Sequence, residues 1–506
     1  MVVRPIEKPI AKELEIVKRF AEFGFQVHPE AIALLARYDG DGATHWDGDP
    51  AVIARGVTTW IDPSICVISP EQIVAYLTRR RSREPGEVRG QVPAPVESAV
   101  AGIDIIRSYP EQGWTADHRD FLPYFLDRYE RLSMLIKKRL NCVQIRAVRS
   151  SQEGEETAIV GIISAIAKTA KGNLRVELED PTGIIPVILP SHEELVPDEV
   201  IGVTGFVSSG GLFIANKVTY PDVPLPASTT QASLTAAEEE GGERAVPISA
   251  VFISDLHVGS TTFLHEAWAS FMRWLKENAS SLNIAYLVVA GDVVDGIGVY
   301  PGQEKDLVLT DIEAQYKTAS SYFQALPDRV HLVVAPGNHD AVRTAEPQPP
   351  LPEWIRKLFP EHTCFTSNPA YIRIGGRQVL IYHGQSYDDF VTAVSRLSYA
   401  KPADVMIEML RRRHLAPIYG NGVSIVPHGA DYGVIDPVPD IIQCGHAHTV
   451  GLAKHRQVLL INSGTWQAQT PYQKKRDITP VAGCATVVKL NSLKVKVMDF
   501  RSRAGA

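Results

Sequence analysis

Cysteine is scarce: five residues among 506, Cys66, Cys142, Cys364, Cys444 and Cys484, lie far apart with no CxxC pair and an odd total. That excludes a disulfide framework and a thiolate zinc site, and it fits a reducing cytoplasm. No apolar run approaches the roughly 18 residues of a membrane-spanning helix, so no membrane partner is expected. The segment MVVRPIEKPIAKELEIVKRF carries charges every third or fourth position and reads as amphipathic rather than as a secretory signal. Basic residues are not in excess. Lys and Arg number 51 against 58 Asp and Glu, net −7, which excludes a blanket electrostatic coat for nucleic acid but not a local basic groove. What is present is ordinary globular composition, 45% hydrophobic and 22% charged, incompatible with wholesale disorder. At roughly 150 residues per domain the length suits about three domains. A soluble, cytoplasmic, multidomain chain is the first expectation.

Residues 1–80 read as a small helical N-terminal domain. Ile10, Leu14, Val17 and Phe20 recur at helical spacing, and Pro29 to Arg37 continues the pattern after a break at Gly24. Ser69-Pro70-Glu71 has the order of an N-cap, a first-turn proline and a first-turn acid, opening EQIVAYLTRR. Residues 81–119 begin polar and rich in Pro and Gly and read as a linker, its arginines either solvated or set against nucleic acid. From Asp120 a leucine- and aromatic-rich helical stretch runs to Arg139. Alternation follows: Ala158–Ala167, Asn173–Glu179, Ile184–Leu189 and Glu199–Val207 read as short strands between turn signals. Five short strands in about 80 residues suit a closed all-β barrel of the OB kind, so 120–222 is expected to be a helix plus OB-like barrel. Phe206, Phe213 and Tyr220, without a dense aromatic and arginine face, favour a protein-docking role for it over single-strand binding. Residues 223–246, poor in bulky apolar side chains, read as a flexible linker. Over 247–502 compact apolar runs (Ile248–Ile253, Ile284–Ala290, Val330–Ala335, Gln378–Tyr382, Asp440–Gln443 and Val458–Ile461) alternate with helical patterns such as Glu266–Glu277 and Ile312–Ala325. This predicts an α/β layered domain with a mostly buried sheet.

The chemistry stands behind those runs. Ser254-Asp255-Leu256-His257 follows the first, and Gly291-Asp292-Val293-Val294-Asp295 the second. Pro336-Gly337-Asn338-His339-Asp340 follows the third, His383-Gly384 the fourth and Gly445-His446-Ala447-His448 the fifth. Strand C-terminal edges are where open α/β sheets build sites. In D-x-H and H-x-H, alternation along an extended segment would turn both side chains to one side, so each pair could grip one ion. Imidazole with carboxylate suits manganese, iron or zinc, and one carboxylate, best supplied by Asp292, could bridge two ions. Gly291, Gly337, Gly384 and Gly445 would permit tight turns and close approach to a phosphate. Any one fragment is as readily a turn or a satisfied surface pair; five in order, each behind a buried run, are not.

That ordered set resembles the calcineurin-like metallophosphoesterase superfamily, whose pattern is D-x-H, GD-x-x-D, GNH-D, H and GH-x-H. The resemblance implies one ion held by Asp255, His257, Asp292 and His448, and a second held by Asp292, Asn338, His383 and His446. His339 would then stabilise the phosphate or protonate the leaving group, oriented by Asp340. Asp295 would either support a metal-bound histidine or cap a turn. The domain order, and the strings SDLHVGS, GDVVDGIGVYPGQ, APGNHDAVR, HGQSYDD and NSGTWQAQTPYQKK, are similar to the small subunits of archaeal family-D DNA polymerases. The likeness covers about 120–500 well and the first 110 residues only in general character. Eukaryotic replicative B-subunits share the architecture but have lost metal ligands, whereas here every ligand position is filled.

The resemblance implies a 3′-to-5′ proofreading exonuclease acting on single-stranded DNA ends with two divalent ions, manganese foremost and iron, zinc or magnesium as alternatives. It also implies a large catalytic polymerase subunit as partner, and a sliding clamp as a further family-level contact. The chain carries no G-x-x-x-x-G-K-[ST] phosphate loop and no second carboxylate constellation, so synthesis would belong to the partner. Arg343 is a candidate phosphate contact. Arg411–His414 and Lys474–Arg476 either line a basic channel or are solvated faces, and Tyr419 and Trp466 either stack on a base or pack in the core. Two other readings stand beside this one: a phosphatase or phosphodiesterase of the same superfamily, and a scaffold subunit that does not cut.

Overall fold

The computed structural model describes residues 102–110, 118–148, 154–208, 210–224, 247–475 and 478–501, with isolated positions among the first hundred. The chain divides into two units, 1–91 and 92–506. In the first, Ile16, Ala31 and Leu35 are helical and buried. Strands β1 (Gln26–Val27) and β2 (Val67–Ile68) pair in parallel, which the helical reading did not foresee. The Ile10–Phe20 repeat, the Ser69-Pro70-Glu71 cap, Cys66, the linker core 225–245 and Arg476 lie outside the described residues.

Part of the linker expected over 81–119 is strand. β3 (Ile103–Ser108) runs antiparallel to a sheet edge, with Ile103 inside and the Arg107 guanidinium donating to the Val434 and Asp436 carbonyls. Six residues alternating IDIIRS are too short a signal to separate an edge strand from linker.

Helix α1 (Phe121–Lys137) leads into a closed five-stranded barrel of β4 (Thr157–Lys168), β5 (Leu174–Asp180), β6 (Gly183–Leu189), β7 (Val200–Val207) and β8 (Phe213–Thr219), ordered β4-β5-β6-β8-β7. Alternation fills it: Leu174, Val176 and Leu178 of β5 point inward beside Ile159, Ile163, Val187 and Val203. Phe213 belongs to this core and Tyr220 lies beneath the Arg411 guanidinium at 3.9 Å, so neither is a surface for bases.

The remaining strands form two six-stranded sheets rather than the one expected. The first holds β9 (Ser249–Ile253), β10 (Ile284–Ala290), β11 (His331–Ala335) and β12 (Cys364–Phe365), all parallel, then antiparallel β18 (Cys484–Lys489) and β19 (Lys494–Asp499). The second is ordered β16-β17-β15-β14-β13-β3 and adds β13 (Ala370–Ile374), β14 (Arg377–Ile381), β15 (Ile441–Cys444), β16 (Val450–His455) and β17 (Val458–Ser463). Ala250, Phe252, Val288 and Val333 meet Ile372, Val379, Ile441 and Ile461 between the sheets. The alternate residues Val251, Ile253, Val289 and Val334 pack under α2 (His265–Asn278) and α3 (Ile312–Phe323). Leu380, Tyr382, Ile442 and Leu460 pack under α4 (Tyr387–Ala393) and α5 (Pro402–Arg412). Covered on both faces, these strands read as continuous apolar runs, and such runs do not say which sheet they join. Among the described residues no helix is long and apolar enough to cross a membrane, and Cys142, Cys364, Cys444 and Cys484 are free thiols.

Two buried arginines fasten barrel and helix to the layered region. Arg128 of α1 bonds Asp431 at 2.7 Å, the Pro417 carbonyl at 2.6 Å and the Asp198 carbonyl at 3.0 Å. Arg412 pairs with Glu199 at 2.8 Å and with Glu408. Within the Arg411–His414 cluster, Arg411 is half-buried over Tyr220 and the other three neither line a channel nor face solvent. Arg412, Arg413 and His414 are buried in internal pairs, because the helix end that carries them is the joint between two parts of the chain.

Candidate metal centre

Each of the five fragments follows a parallel strand: Asp255 and His257 after β9, Asp292 and Asp295 after β10, and Asn338, His339 and Asp340 after β11. His383 follows β14, and His446 and His448 follow β15. The first three come from one sheet and the last two from the other, so the cluster closes only because the two sheets face each other.

Asp255, His257, Asp292, His446 and His448 all have φ between +51° and +63°. The extended alternation expected for D-x-H and H-x-H is thus absent: these are left-handed turns, strained for residues with a Cβ and common where function demands a particular aim. Asp255 and His257 still meet, but the two histidines of the H-x-H string part company. His448 Nε2 lies 3.0 Å from His257 Nε2 and 3.3 Å from Asp255 Oδ1, while His446 Nδ1 lies 3.1 Å from Asn338 Oδ1. The expectation that this pair grips one ion is corrected accordingly.

Two donor sets result, with Asp292 between them. Its Oδ2 is 3.7 Å from His257 Nε2 on one side and 3.3 Å from His383 Nε2 on the other, and His383 Nε2 is 2.9 Å from Asn338 Oδ1. Neighbouring ligands on one ion with bonds of about 2.1 Å stand roughly 3.0–3.4 Å apart, which the 3.3 Å separations of His448 from Asp255 and of His383 from Asp292 match and the 3.7 Å of His257 from Asp292 exceeds. Asp255, His257 and His448 could hold a metal ion, and so could Asp255, Asp292 and His383, or His257, Asp292 and His339. Two of the glycines make room for carboxylates of the cluster. A Cβ on Gly337 would lie 2.2 Å from Asp292 Oδ1, and one on Gly445 would lie 2.3 Å from Asp255 Oδ2.

The imidazoles are oriented from behind. Asp295 Oδ1 accepts from His257 Nδ1 at 3.0 Å, and the Ala290 carbonyl accepts from His383 Nδ1 at 2.9 Å; each ring therefore presents Nε2 to the cluster. Asp295 is support for a histidine, not a cap. Gln467 and Gln303 donate to its carboxylate at 3.0 and 3.2 Å, and the Gln473 amide meets His448 Nδ1 at 2.7 Å. Nothing in the sequence singles out these glutamines, although Gln467 and Gln473 stand in the NSGTWQAQTPYQKK string and Gln303 ends GDVVDGIGVYPGQ.

Burial opposes charge on every group here, yet mutual attraction overrides it in most. The hydrogen bond from His448 holds Asp255 low, and the charges of His383 and His339 hold Asp292 well below the usual carboxylate range. The Asp295 bond lifts His257 to about 9, and the Asp292 charge lifts His383 to about 10. The same negative field that draws protons onto these rings would attract divalent cations.

His339 donates Nδ1–H to the Asp295 carbonyl at 2.7 Å, its own backbone N–H donates to Asp292 Oδ1 at 2.9 Å, and burial lowers its pKa. A carbonyl can only accept, so Nε2 is the free nitrogen. Asp340 does not orient this ring. Its carboxylate is turned away, accepting from Gly337 N at 2.8 Å, Val293 N at 3.3 Å and the Tyr316 hydroxyl at 2.9 Å, and burial pushes it up to about 6. Arg343 donates to the Pro347 carbonyl and covers the Tyr109 ring at 4.8 Å. Trp466 is fully buried against Trp268 and Phe271 and is a core residue. Tyr419 remains 43% exposed beside Phe121, with ring centroids 4.8 Å apart.

Residues 250–450 match the family of B-subunits of DNA polymerases alpha and epsilon, which places the layered region in the class of polymerase accessory subunits. The chain is 43% identical to the DNA polymerase II small subunit of Archaeoglobus fulgidus over 493 residues, 94% of this chain and 95% of that one. It is 33% identical to those of Halobacterium salinarum over 97% and 100% of the two chains, and of Methanothermobacter thermautotrophicus over 96% and 99%. It belongs to the DNA polymerase II small subunits, the small subunits of the archaeal family-D enzymes.

Proposed function

We propose that this DNA polymerase small subunit is a 3′-to-5′ exonuclease that removes mismatched nucleotides from single-stranded ends, and that it also anchors the large catalytic subunit. The observation that carries the reading is the position of Asp292, one carboxylate oxygen facing His257 and His383 from between two donor sets. Asp255, His257, Asp292 and His448 would hold one divalent ion, and Asp292, Asn338, His383 and His446 the other. Nitrogen and oxygen donors together suit manganese, with iron, zinc or magnesium as alternatives. Bound there, two such ions would neutralise phosphate oxygens and acidify a water to give the nucleophile.

The protein's own groups do the rest. Asp295 and the Ala290 carbonyl fix ring tautomers so that Nε2 of His257 and His383 remains available. His339, held through Nδ1 by the Asp295 carbonyl, would act from its doubly protonated form, the imidazolium giving its Nε2 proton to the departing 3′ oxygen and remaining as the neutral ring, a role that typically supplies about 10²–10⁴ in rate. A paired terminus would first have to unstack at a cost of a few kcal/mol, which favours mismatched ends.

In this reading 120–222 is a helix with an OB-like barrel, and 247–502 is a calcineurin-like phosphoesterase domain. The inward-facing barrel aromatics support docking of the large subunit there rather than DNA. The test is digestion of a 5′-labelled single strand with manganese, by the chain alone and with its large subunit. Shortening from the 3′ end, lost in Asp292→Asn, is expected. Silence in both, with turnover of a small phosphoester, would move the assignment to a phosphatase; silence in all three would leave a scaffold.

A further inference from the structure

The donor sets address a phosphate, but a nuclease must also hold the strand. Among the described residues, the ion pairs of Asp255, Asp292 and Asp295 are all with histidines, and Arg343 is engaged with a carbonyl. The loop 296–308 begins at the residue after Asp295 and lies against the GNHD turn. A Cβ on Gly296 would stand 2.4 Å from the His339 carbonyl oxygen and 3.0 Å from Val299 Cγ2, so His339 and Val299 flank the same glycine.

Two buried glutamines pin this loop from inside. Gln303 accepts from Val299 N at 2.8 Å and donates to the Asp295 carbonyl at 2.8 Å. Gln315 accepts from Gly296 N at 2.9 Å and donates to the Gly296 and Leu309 carbonyls at 3.1 and 2.7 Å. Ile297 and Val299 nevertheless face water, 48% and 38% exposed. A loop with its polar groups fixed inward and branched apolar side chains outward, starting beside Asp295 and touching the His339 backbone, has the construction of a binding surface.

We infer that Ile297 and Val299 form the platform for the nucleobase at the 3′ end of the strand. This rests on the exonuclease reading. A base is joined to its phosphate through a single sugar, so with the terminal phosphodiester beside His339 the adjoining apolar surface receives the base. Apolar side chains hold an unstacked base without reading its identity, as an enzyme acting on any terminal nucleotide requires. The fixed backbone means that the platform exists before the strand arrives.

The test uses the full chain in complex with its large subunit and two 5′-labelled single strands, one with an ordinary 3′-terminal nucleotide and one whose last nucleotide is abasic. The wild type should release the ordinary terminus roughly tenfold faster. Ile297→Ser with Val299→Ser should bring it down to the abasic rate, and Val299→Phe, which enlarges the platform, should widen the ratio. Equal cutting of both strands by the wild type, with the variants unchanged, overturns the inference and leaves the exonuclease standing. If the serine pair releases the large subunit while both termini are still cut alike, the patch belongs to the protein partner and the inference falls. Cutting of neither strand by the wild type overturns both readings.

Discussion

Asp295 accepts a hydrogen bond from Nδ1 of His257 at 3.0 Å, and Gln467 and Gln303 hold that carboxylate in turn. The contact decides which imidazole nitrogen carries the proton and which faces the cluster. Asp295→Asn keeps the shape but removes the charge, and it should weaken manganese affinity about 10–100-fold. A manganese titration of nuclease rate would show the shift; an unchanged midpoint would return Asp295 to a structural role.

His339 and Asp340 should separate cleanly. His339→Gln is expected to lower kcat by about 10²–10⁴ with little change in metal affinity. Asp340→Asn should lower kcat less than tenfold and instead cost about 1–3 kcal/mol of stability, because it holds two turn amides and the Tyr316 hydroxyl. Single-turnover rates and thermal melts of both variants check this. A large rate loss in Asp340→Asn, with Tm preserved, would contradict the geometry.

Metal should stabilise the fold as well as activate it. At a manganese concentration about 100-fold above Kd, the added stability is about 2.7 kcal/mol, visible as a Tm rise that a chelator reverses. Because His446 and His448 face different donor sets, each Gln variant should lose part of the rise and the double variant all of it. A single substitution that abolished the whole rise would indicate one ion rather than two.

The joint at α1 should make stability fall in acid. His414 is buried and neutral; burial and then the Arg128 charge lower its pKa to about 4, with Asp431 and Arg131 also facing it. The unfolded chain binds that proton from near pH 6.5, the folded chain only near 4, so the contribution is complete above 6.5 and is lost as pH drops between the two. The loss reaches on the order of 3 kcal/mol. Once His414 is protonated, its charge together with that of Arg128 holds Asp431 far below the carboxylate range, which acts in the same direction at lower pH. His414→Gln should therefore lose less Tm than the wild type between pH 7 and 4, as melts in matched buffers would reveal. Arg128→Met, leaving Asp431 buried without its cation, should cost about 3–5 kcal/mol.

The donor residues of the cluster, and the strands they follow, are written locally in the chain. A strand buried on both faces is a local apolar run, and the polar residues that interrupt such a run at its end have few structural reasons to be there, so Asp255, His257, Asp292, Asn338, His383, His446 and His448 were legible. The barrel was legible too, because two-residue alternation is also a local pattern. Partnership over long separations was decided only by the tertiary structure. His446 donates its backbone N–H to Asp255 across 191 residues, and His257 meets His448 from the opposite sheet. The turning of Asp340 toward Tyr316, the burial of Arg412 at the barrel joint and the burial of Trp466 under the first sheet's helices are likewise contacts between distant segments. Periodicity records which residues share a face of one element; it carries no information about which faces two sheets bring together, and the divergence of His446 from His448 arises there.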